Sequence, residues 1–557
     1  MSDMSARSRS APGPLGVLRE WLSEDTAKSL APNAQPVTTA ALFLVSTLFG
    51  FYLLRVSVDF IATDGIDYTW AWVAVITLVT LPALRANYAD LPAYGKRFFH
   101  ASAVFLAFYF TIEPFDIPYA AIPADHPGAV FHQAGRWIGL ALALIGFRVP
   151  AAVFASAMVL WLVREMHTTL TGFYFSTLDI RNVAEVIAVV ALGASYASAA
   201  RRTAPLRAAF ALDDAVIARI VVLLLAVGIG GHLGNYFFSA VAKLSLDGGP
   251  LSWLIGNRLQ DGMIGAIERG TMPWSASPTA TSVAHGVVDV LNTPMNIASF
   301  LFQFAAILAP WRKKWLLAVT LTYDLFHFVV YVAFGLLFWK WMALNTIIVV
   351  TLWILPDDVW DRAARITCIM FVLIGVVFFK VATLAWYDAG SFMSVFWEAE
   401  LKDGSRVRIP NAYFNSASYQ ASQGRFYVPP VEGHFNHAIW GSVLHWDDVQ
   451  AARTCEPPKR DGPAPELYGP VDALTRYIQA HHEKTLRRVD DRGIYNYYYL
   501  PHHHMPAPFL KDPFLNVDKR QIAAYDYVVE SVCLGLEEGK MTRDVKKRDV
   551  FRVYETE

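Results

Sequence analysis

Lys243 closes an apolar stretch that reads Gly231-His232-Leu233-Gly234-Asn235-Tyr236-Phe237-Phe238-Ser239-Ala240-Val241-Ala242-Lys243-Leu244, with Ser252-Trp253-Leu254-Ile255-Gly256-Asn257 shortly after it. A lysine at the end of an apolar helix has two readings. Either it snorkels its ammonium to the membrane interface, or it is held in a dry pocket where burial disfavours the charged form and makes it a usable base near neutral pH. Position alone leaves both open. Asp289, Asp324 and His327 also fall inside apolar runs, where ionisable groups are costly and face a cavity or a partner. Asp324 and His327 are three residues apart and share a helix face, so they can form a charge-assisted pair or tie two helices together. Glu185, six residues into its run, is placed near the interface. His232, directly after Gly230 and Gly231, either lines the same cavity as Lys243 or is satisfied structurally.

The last third of the chain carries His434, His437, His445, His481-His482 and His502-His503-His504. These imidazoles could reach a metal, but long loops separate them and no repeated carboxylate or cysteine accompanies them, so no metal is expected. Histidines of the apolar region are all single, unlike the paired boxes of membrane desaturases and hydroxylases. Of the three cysteines, Cys455 and Cys533 are expected on an oxidising side, where they could pair, while Cys368 sits inside an apolar run.

The elements that must position these residues show in how charge is distributed. The 557 residues are 55% hydrophobic and 17% charged, with a mean hydropathy of +0.33. That excludes a disordered, collagenous or coiled-coil chain and departs from ordinary cytosolic enzymes. Of the 47 Lys and Arg and 48 Asp and Glu, 45 lie in the last 170 residues. The preceding 387 therefore have membrane composition. A net charge of −1 gives no reason to expect nucleic acid as a partner. Residues 1–37 read as a polar cytoplasmic lead-in rather than a signal peptide. About eleven apolar runs follow, near 38–60, 69–88, 98–120, 130–148, 150–166, 180–200, 215–243, 282–310, 315–336, 341–355 and 363–387.

Lys and Arg collect in alternate loops, at Arg85, Lys96 and Arg97, at Arg201, Arg202 and Arg207, at Arg312, Lys313 and Lys314, and at Arg362 and Arg365. The positive-inside rule then puts the N-terminus in the cytoplasm and, with an odd number of spans, the charged tail on the far side, periplasmic or lumenal. Within the tail, residues 388–557, Phe396 to Leu401 alternate, turn at Lys402-Asp403-Gly404-Ser405 and continue into Arg406-Val407-Arg408-Ile409, a hairpin pattern whose turn needs positive φ. Helices are predicted near 470–488 and 519–538. The expected fold is thus an all-α polytopic membrane bundle over 38–387 with a small mixed α+β extracytoplasmic domain.

The Tyr236–Leu244 stretch followed by Ser-Trp-Leu-x-Gly resembles the signature helix of the vitamin K-dependent gamma-carboxylase-like membrane family, also called the horizontally transferred transmembrane domain. His167-Thr168-Thr169-Leu170-Thr171-Gly172 resembles that family's upstream His segment. Phe326-His327, with Phe334 to Asn345, resembles its later His helix and aromatic hairpin, and the strand pair at Asp403-Gly404 resembles the opening of its extracytoplasmic domain. The resemblance covers most of residues 38–415. It implies Lys243 as the base that deprotonates reduced vitamin K or another lipid quinol, with His167 and His327 as further catalytic candidates. Tyr236, Trp253 and His232 become the quinol-binding candidates. Oxygen then converts the quinol to an epoxide through a strongly basic intermediate, which removes a γ-proton from a protein glutamate that takes up carbon dioxide. The partners implied are membrane lipids, a lipid quinone, and a protein or peptide acceptor bound by the tail, although the tail is shorter than the extracytoplasmic part of the animal enzymes. Such chemistry needs a water-poor site inside a helical bundle, reached laterally by a lipophilic quinol. Two other functions compete: a non-enzymatic membrane subunit, and a transporter, which the lack of an evident broken-helix pair or internal symmetry disfavours.

Overall fold

In an apolar surrounding each backbone N–H and C=O needs a partner from the chain itself, so long apolar runs fold as helices. The structure, a computed structural model, describes residues 34–63, 65–113, 117–172, 178–415, 433–435, 441–457, 471–497, 507 and 512–556. Its first part contains α1 (Ala34–Thr63), α2 (Thr69–Ala83), α3 (Ala93–Ile112), α4 (Pro127–Ile145), α5 (Pro150–Thr171), α6 (Leu178–Arg201) and α7 (Asp214–Leu244). Two short helices follow, α8 (Ser252–Gly256) and α9 (Leu259–Glu268). Then come α10 (Pro278–Val290), α11 (Asn292–Phe304), α12 (Lys313–Phe334), α13 (Trp339–Ile354) and α14 (Arg362–Ile374).

Among the described residues, five stretches are long and apolar enough to cross a membrane: Thr38–Thr63, Ile66–Ala83, Ile180–Arg201, Asp214–Leu244 and Lys313–Phe334. A sixth is added if Pro278–Val290 and Asn292–Ile307, bent by 72° at their junction, are one span. This bent pair is a feature that the sequence reading did not foresee. The spans of α6 and α7 are 94% and 89% buried, whereas those of α1, α2 and α12 are only 28% buried. Phe49, Phe60, Trp70, Leu78, Leu321 and Leu325 stand exposed on these outer helices, an apolar belt suited to lipid.

Local chemistry sets the ends of these elements. Asp213 caps α7 by accepting from the Val216 N–H at 2.9 Å. Gly335 ends α12 at φ +68°, and a Cβ there would collide with the Thr271 carbonyl. Several expected boundaries shift. Helix α1 begins at Ala34, inside the expected lead-in. Helix α3 stops at Ile112, because Glu113 leaves the helix with extended backbone. The expected last span, 363–387, contains only α14 as α-helix, followed by a short 3-10 turn and irregular chain into β1 (Tyr387–Asp388).

In the tail, β2 (Ser391–Leu401) and β3 (Arg406–Ile409) form the expected hairpin, with Gly404 at φ +82°. The short β4 (Ser442–Val443) pairs with β1. Helices α15 (Trp446–Thr454) and α16 (Val471–Leu486) follow, the second matching the helix expected near 470–488. The helix expected over 519–538 is instead the strand β5 (Ile522–Glu537), which pairs with β6 (Lys540–Glu555) in the antiparallel order β3-β2-β5-β6. Successive side chains of this strand face opposite sides of the sheet. Tyr525, Tyr527 and Val529 join Trp397, Tyr477 and Ile478 in an apolar core. On the opposite face Asp526 and Glu530 meet Arg552 and Arg548 of β6 at 2.5 Å each. Cys455 and Cys533 are disulfide-bonded with Cα atoms 5.8 Å apart, and Cys368 is buried and free.

Candidate functional site

Helix α7 carries Asn235, Ser239 and Lys243 at successive four-residue steps, so the three share one face. Along that face runs the irregular chain after α14. Asn235 Oδ1 accepts from the Ala382 N–H at 2.7 Å and Ser239 Oγ from the Leu384 N–H at 2.9 Å. Lys243 Nζ donates to the Leu384 carbonyl at 2.8 Å. From α6, Glu185 accepts the Lys380 N–H at 2.5 Å and Asn182 donates to the Lys380 carbonyl at 3.3 Å. Non-helical backbone packed inside an apolar bundle persists only where side chains supply its missing hydrogen bonds. Close approach needs glycine on α7 as well: a Cβ at Gly231 would collide with the Phe379 ring, and one at Gly230 with the Cys368 carbonyl.

Lys243 is 6% exposed. Besides Leu384, its ammonium reaches Gln303 Oε1 at 2.8 Å and the Ser239 carbonyl at 3.3 Å, and it stands 4.9 Å from the centre of the Trp253 ring. Beside it lies a cavity of about 410 Å³, walled mainly by apolar and aromatic side chains. Tyr236, Phe302, Phe326, Phe338, Trp341 and Trp386 supply rings; Lys243, Gln303, His327, Arg269 and Asp388 supply polar groups. Leu325, Val329 and Phe302 both line the cavity and stand exposed on the outer surface of α11 and α12. The cavity thus reaches the exposed apolar surface between those two helices.

The segment after α7 explains its own motif. Ser252 Oγ contacts the Tyr387 hydroxyl, and Trp253 Nε1 donates to the Trp386 carbonyl at 2.9 Å. Asn257 grips Asp388 twice: its Oδ1 accepts from the Asp388 N–H at 2.7 Å, and its Nδ2 donates to Asp388 Oδ2 at 2.9 Å. In turn, the Asn257 carbonyl accepts from Asn292 at 2.7 Å and Asn296 at 2.9 Å, both on α11. Burial pushes the Asp388 carboxyl up to about 7, against the donors Asn257 and Trp386, and burial likewise lifts neighbouring Asp261 to about 6. Ser442 of β4 also lines the cavity, so tail strands complete a site begun by the bundle. The boundary expected between 387 and 388 runs through its wall.

Of the candidates chosen from sequence, Lys243, Tyr236, Trp253 and His327 come together around this cavity. His232 lies one layer behind. Its ring nitrogens face Asn182 Oδ1 and Asn345 Oδ1, each at 2.9 Å, and its ring meets Tyr236 edge-on. Asp324 and His327 do not pair. Asp324 accepts from Asn345 Nδ2 at 2.9 Å, and His327 Nε2 meets the Tyr236 hydroxyl at 3.0 Å. Each turns to a neighbouring helix because α7 and α13 present polar groups there. His167 is not among the lining residues; it packs on His132 at 4.8 Å, near the buried group of Arg164, Glu113 and Lys340. Glu185, expected near the interface, is fully buried and bonded to Arg181 at 2.9 Å. Asp289 accepts from Gln260 at 2.8 Å. The sequence reading missed Gln303, Asn345 and Asp388, which nothing local marks. Asn235 and Ser239 could have been found from their spacing with Lys243.

The tail histidines disperse. His434 joins Asp549 at 2.7 Å and Ser531 at 2.9 Å, His445 joins Asp247 at 3.0 Å, and His482 joins Tyr525 at 2.9 Å. His481 sits among Tyr413, Phe414 and Tyr477. Although Ser531, His434 and Asp549 stand in the order of a hydrolase triad, Ser531 is fully buried and its hydroxyl accepts the Phe435 N–H, so the trio ties a loop to the sheet. His437 and His502–His504 lie outside the described residues. Among the described residues no three His, Cys, Asp or Glu gather as a metal site. Comparison with protein-family models, curated proteins and solved structures finds no match to this chain.

Proposed function

We propose that this protein is an integral membrane enzyme that binds a reduced lipid quinone in the Lys243 cavity and couples its oxidation by oxygen to carboxylation, or a related modification, of an acceptor. The observation that carries this reading is the cavity itself: apolar and ring-lined, reaching the exposed apolar surface, with a lysine ammonium on its wall. Ring-shaped apolar ligands suit such walls. His327 adds a second point of recognition, because it is 3% exposed and its Nδ1 has no hydrogen-bond partner among the described residues. A hydroxyl of a ligand would supply one. The balance needs no oxidant beyond oxygen: one quinol and one dioxygen give one epoxide and one water.

The resemblance to the gamma-carboxylase family, carried by Tyr236–Leu244 and Ser252–Gly256, supports the same chemistry and extends it to an acceptor held by the tail. In this reading the bundle crosses the membrane about eleven times, with the N-terminus cytoplasmic and the tail outside. Lys and Arg distribution supports that orientation. The test is analysis of lipids that copurify with the protein, together with oxygen-dependent oxidation of reduced vitamin K. Bound quinone and turnover are expected; absence of both overturns the quinol reading. A transporter is the second reading, favoured by the 72° bend between α10 and α11, since broken helices frame many transport sites. Substrate flux in proteoliposomes without quinol turnover would select it.

A further inference from the structure

We propose that Asp388 is the proton acceptor of the cavity and that Lys243 works beside it as a fixed ammonium rather than as the base. The substrate rests on the quinol reading above; the division of roles rests on geometry. A lysine ammonium has three N–H donors and no lone pair, whereas the neutral amine has two donors and one lone pair. Three oxygens, from Gln303, Leu384 and Ser239, stand within 3.3 Å of Lys243 Nζ. That set matches the ammonium and would turn an amine lone pair toward an acceptor. Such a group stabilises an oxyanion that forms beside it and does not take up a proton.

Asp388 is the carboxyl that lines the same cavity, and its charge acts on Lys243. Its place is set by contacts unrelated to Lys243. Asn257 holds its N–H and Oδ2, and Trp386 Nε1 approaches Oδ1 at 3.3 Å. The charged groups that face it are Lys243 from α7, Asp261 from α9 and Arg269 just after α9. Asp261 is itself held by Arg258 at 3.5 Å. Asp261 raises and Arg269 lowers the proton affinity of Asp388, while burial dominates and places its titration near neutrality. A group so poised serves as general base and returns its proton within a turnover.

The step is a proton transfer. The substrate O–H bond breaks, its electron pair stays on oxygen beside the Lys243 ammonium, and a new O–H bond forms on the Asp388 carboxylate. No electrons change hands until oxygen enters. The tail therefore provides the base and the bundle provides the cation.

The experiment uses the full chain in liposomes with reduced vitamin K and compares wild type with Asp388→Asn, Asp388→Glu, Lys243→Arg and Lys243→Ala. Infrared titration of the protonated carboxyl runs in parallel. Asp388→Asn keeps the shape and an acceptor for Asn257, so it should bind quinol but oxidise it roughly 100-fold more slowly. Asp388→Glu should recover part of the rate. Lys243→Arg keeps a permanent cation and should retain far more activity than Lys243→Ala. A carboxyl band absent from Asp388→Asn should titrate near neutral pH. If Asp388→Asn turns over as wild type does while Lys243→Arg is as inactive as Lys243→Ala, Lys243 is the base and the proposal fails. Failure of wild type to bind or oxidise the quinol removes the quinol reading alone. The infrared titration then decides: a band that titrates keeps Asp388 as the cavity's proton acceptor, and an Asp388 ionised from about pH 5 to 9 overturns it.

Discussion

Two lysines of this protein are buried in nearly the same way, and of the two Lys243 alone lines the cavity. Lys243 at the end of α7 is bound by one amide oxygen and two carbonyls with an indole beside it. Lys519, in the turn before β5, donates to the carbonyls of Phe514 at 2.6 Å, Val517 at 2.8 Å and Leu515 at 3.5 Å, with the Phe514 ring centre at 4.3 Å. The cage of Lys519 is made by its own loop and closes a turn over the tail core. The cage of Lys243 draws on α7, α11 and the chain after α14, and one side of it faces a cavity that also holds a carboxyl. Burial and carbonyl coordination are therefore shared, and what sets Lys243 apart from Lys519 is the open space and the ionisable neighbour.

The sharpest way to break this contrast is to remove each amine. Lys243→Ala should lower quinol oxidation by 100-fold or more, about 2.7 kcal/mol of barrier, with expression and tail folding intact. Equal turnover by variant and wild type would end any chemical role for Lys243. Lys519→Met should do the reverse. It strands the Phe514 and Val517 carbonyls at a cost of about 2–3 kcal/mol, seen as a lower melting temperature and faster proteolysis of the tail, while turnover per folded molecule stays unchanged.

Proton linkage offers a second contrast, with opposite signs. Burial lowers Lys519 from 10.5 to about 8 in the folded state. Between those values the unfolded chain holds the proton and the folded one does not, so this contribution grows as pH rises from about 8 to about 10.5 and is lost as pH falls back. Asp388 rises from 3.8 to about 7. Its contribution is complete below about pH 4 and is lost as pH rises through about 7. Thermal unfolding across pH should show both trends, the first absent from Lys519→Met and the second from Asp388→Asn. The smallest effect is expected at Ser239. Ser239→Ala releases the Leu384 N–H together with the hydroxyl's own bonds to the Asn235 and Ala382 carbonyls, at about 1 kcal/mol, and should loosen the chain that carries a Lys243 ligand. A modest loss of turnover with unchanged quinol affinity would fit that positioning role; no change in either would remove Ser239 from the site.

Part of the site was legible through the resemblance of the Lys243 stretch and the Ser-Trp motif behind it, and the four-residue spacing of Asn235, Ser239 and Lys243 holds more of it, because a helix puts such neighbours on one face. Tyr236, Trp253 and His327 line the same cavity as Lys243. The proposed Asp324–His327 pair fails because sharing a face does not decide partners; Asn345 and Tyr236 from other helices do. His167 illustrates the same limit, since the ring it packs on, His132, comes from α4. Residues 519–538 suit a helix in sequence but mostly form a strand in the fold, because Ile, Ala, Tyr and Val in mixed order fit both periods. The arginines of β6, which give the polar face of β5 its partners, lie beyond any local window.

What the sequence determined alone is the division into an apolar, charge-poor region and a charged tail, and the Asp403-Gly404 hairpin. These follow from composition and short-range backbone geometry, which the chain carries at every point. Only the tertiary structure decided that the stretch after α14 unwinds, that Asn257 positions Asp388, and that the tail closes the cavity. Such contacts join residues more than a hundred positions apart, and their energy comes from polar groups finding one another where water does not reach.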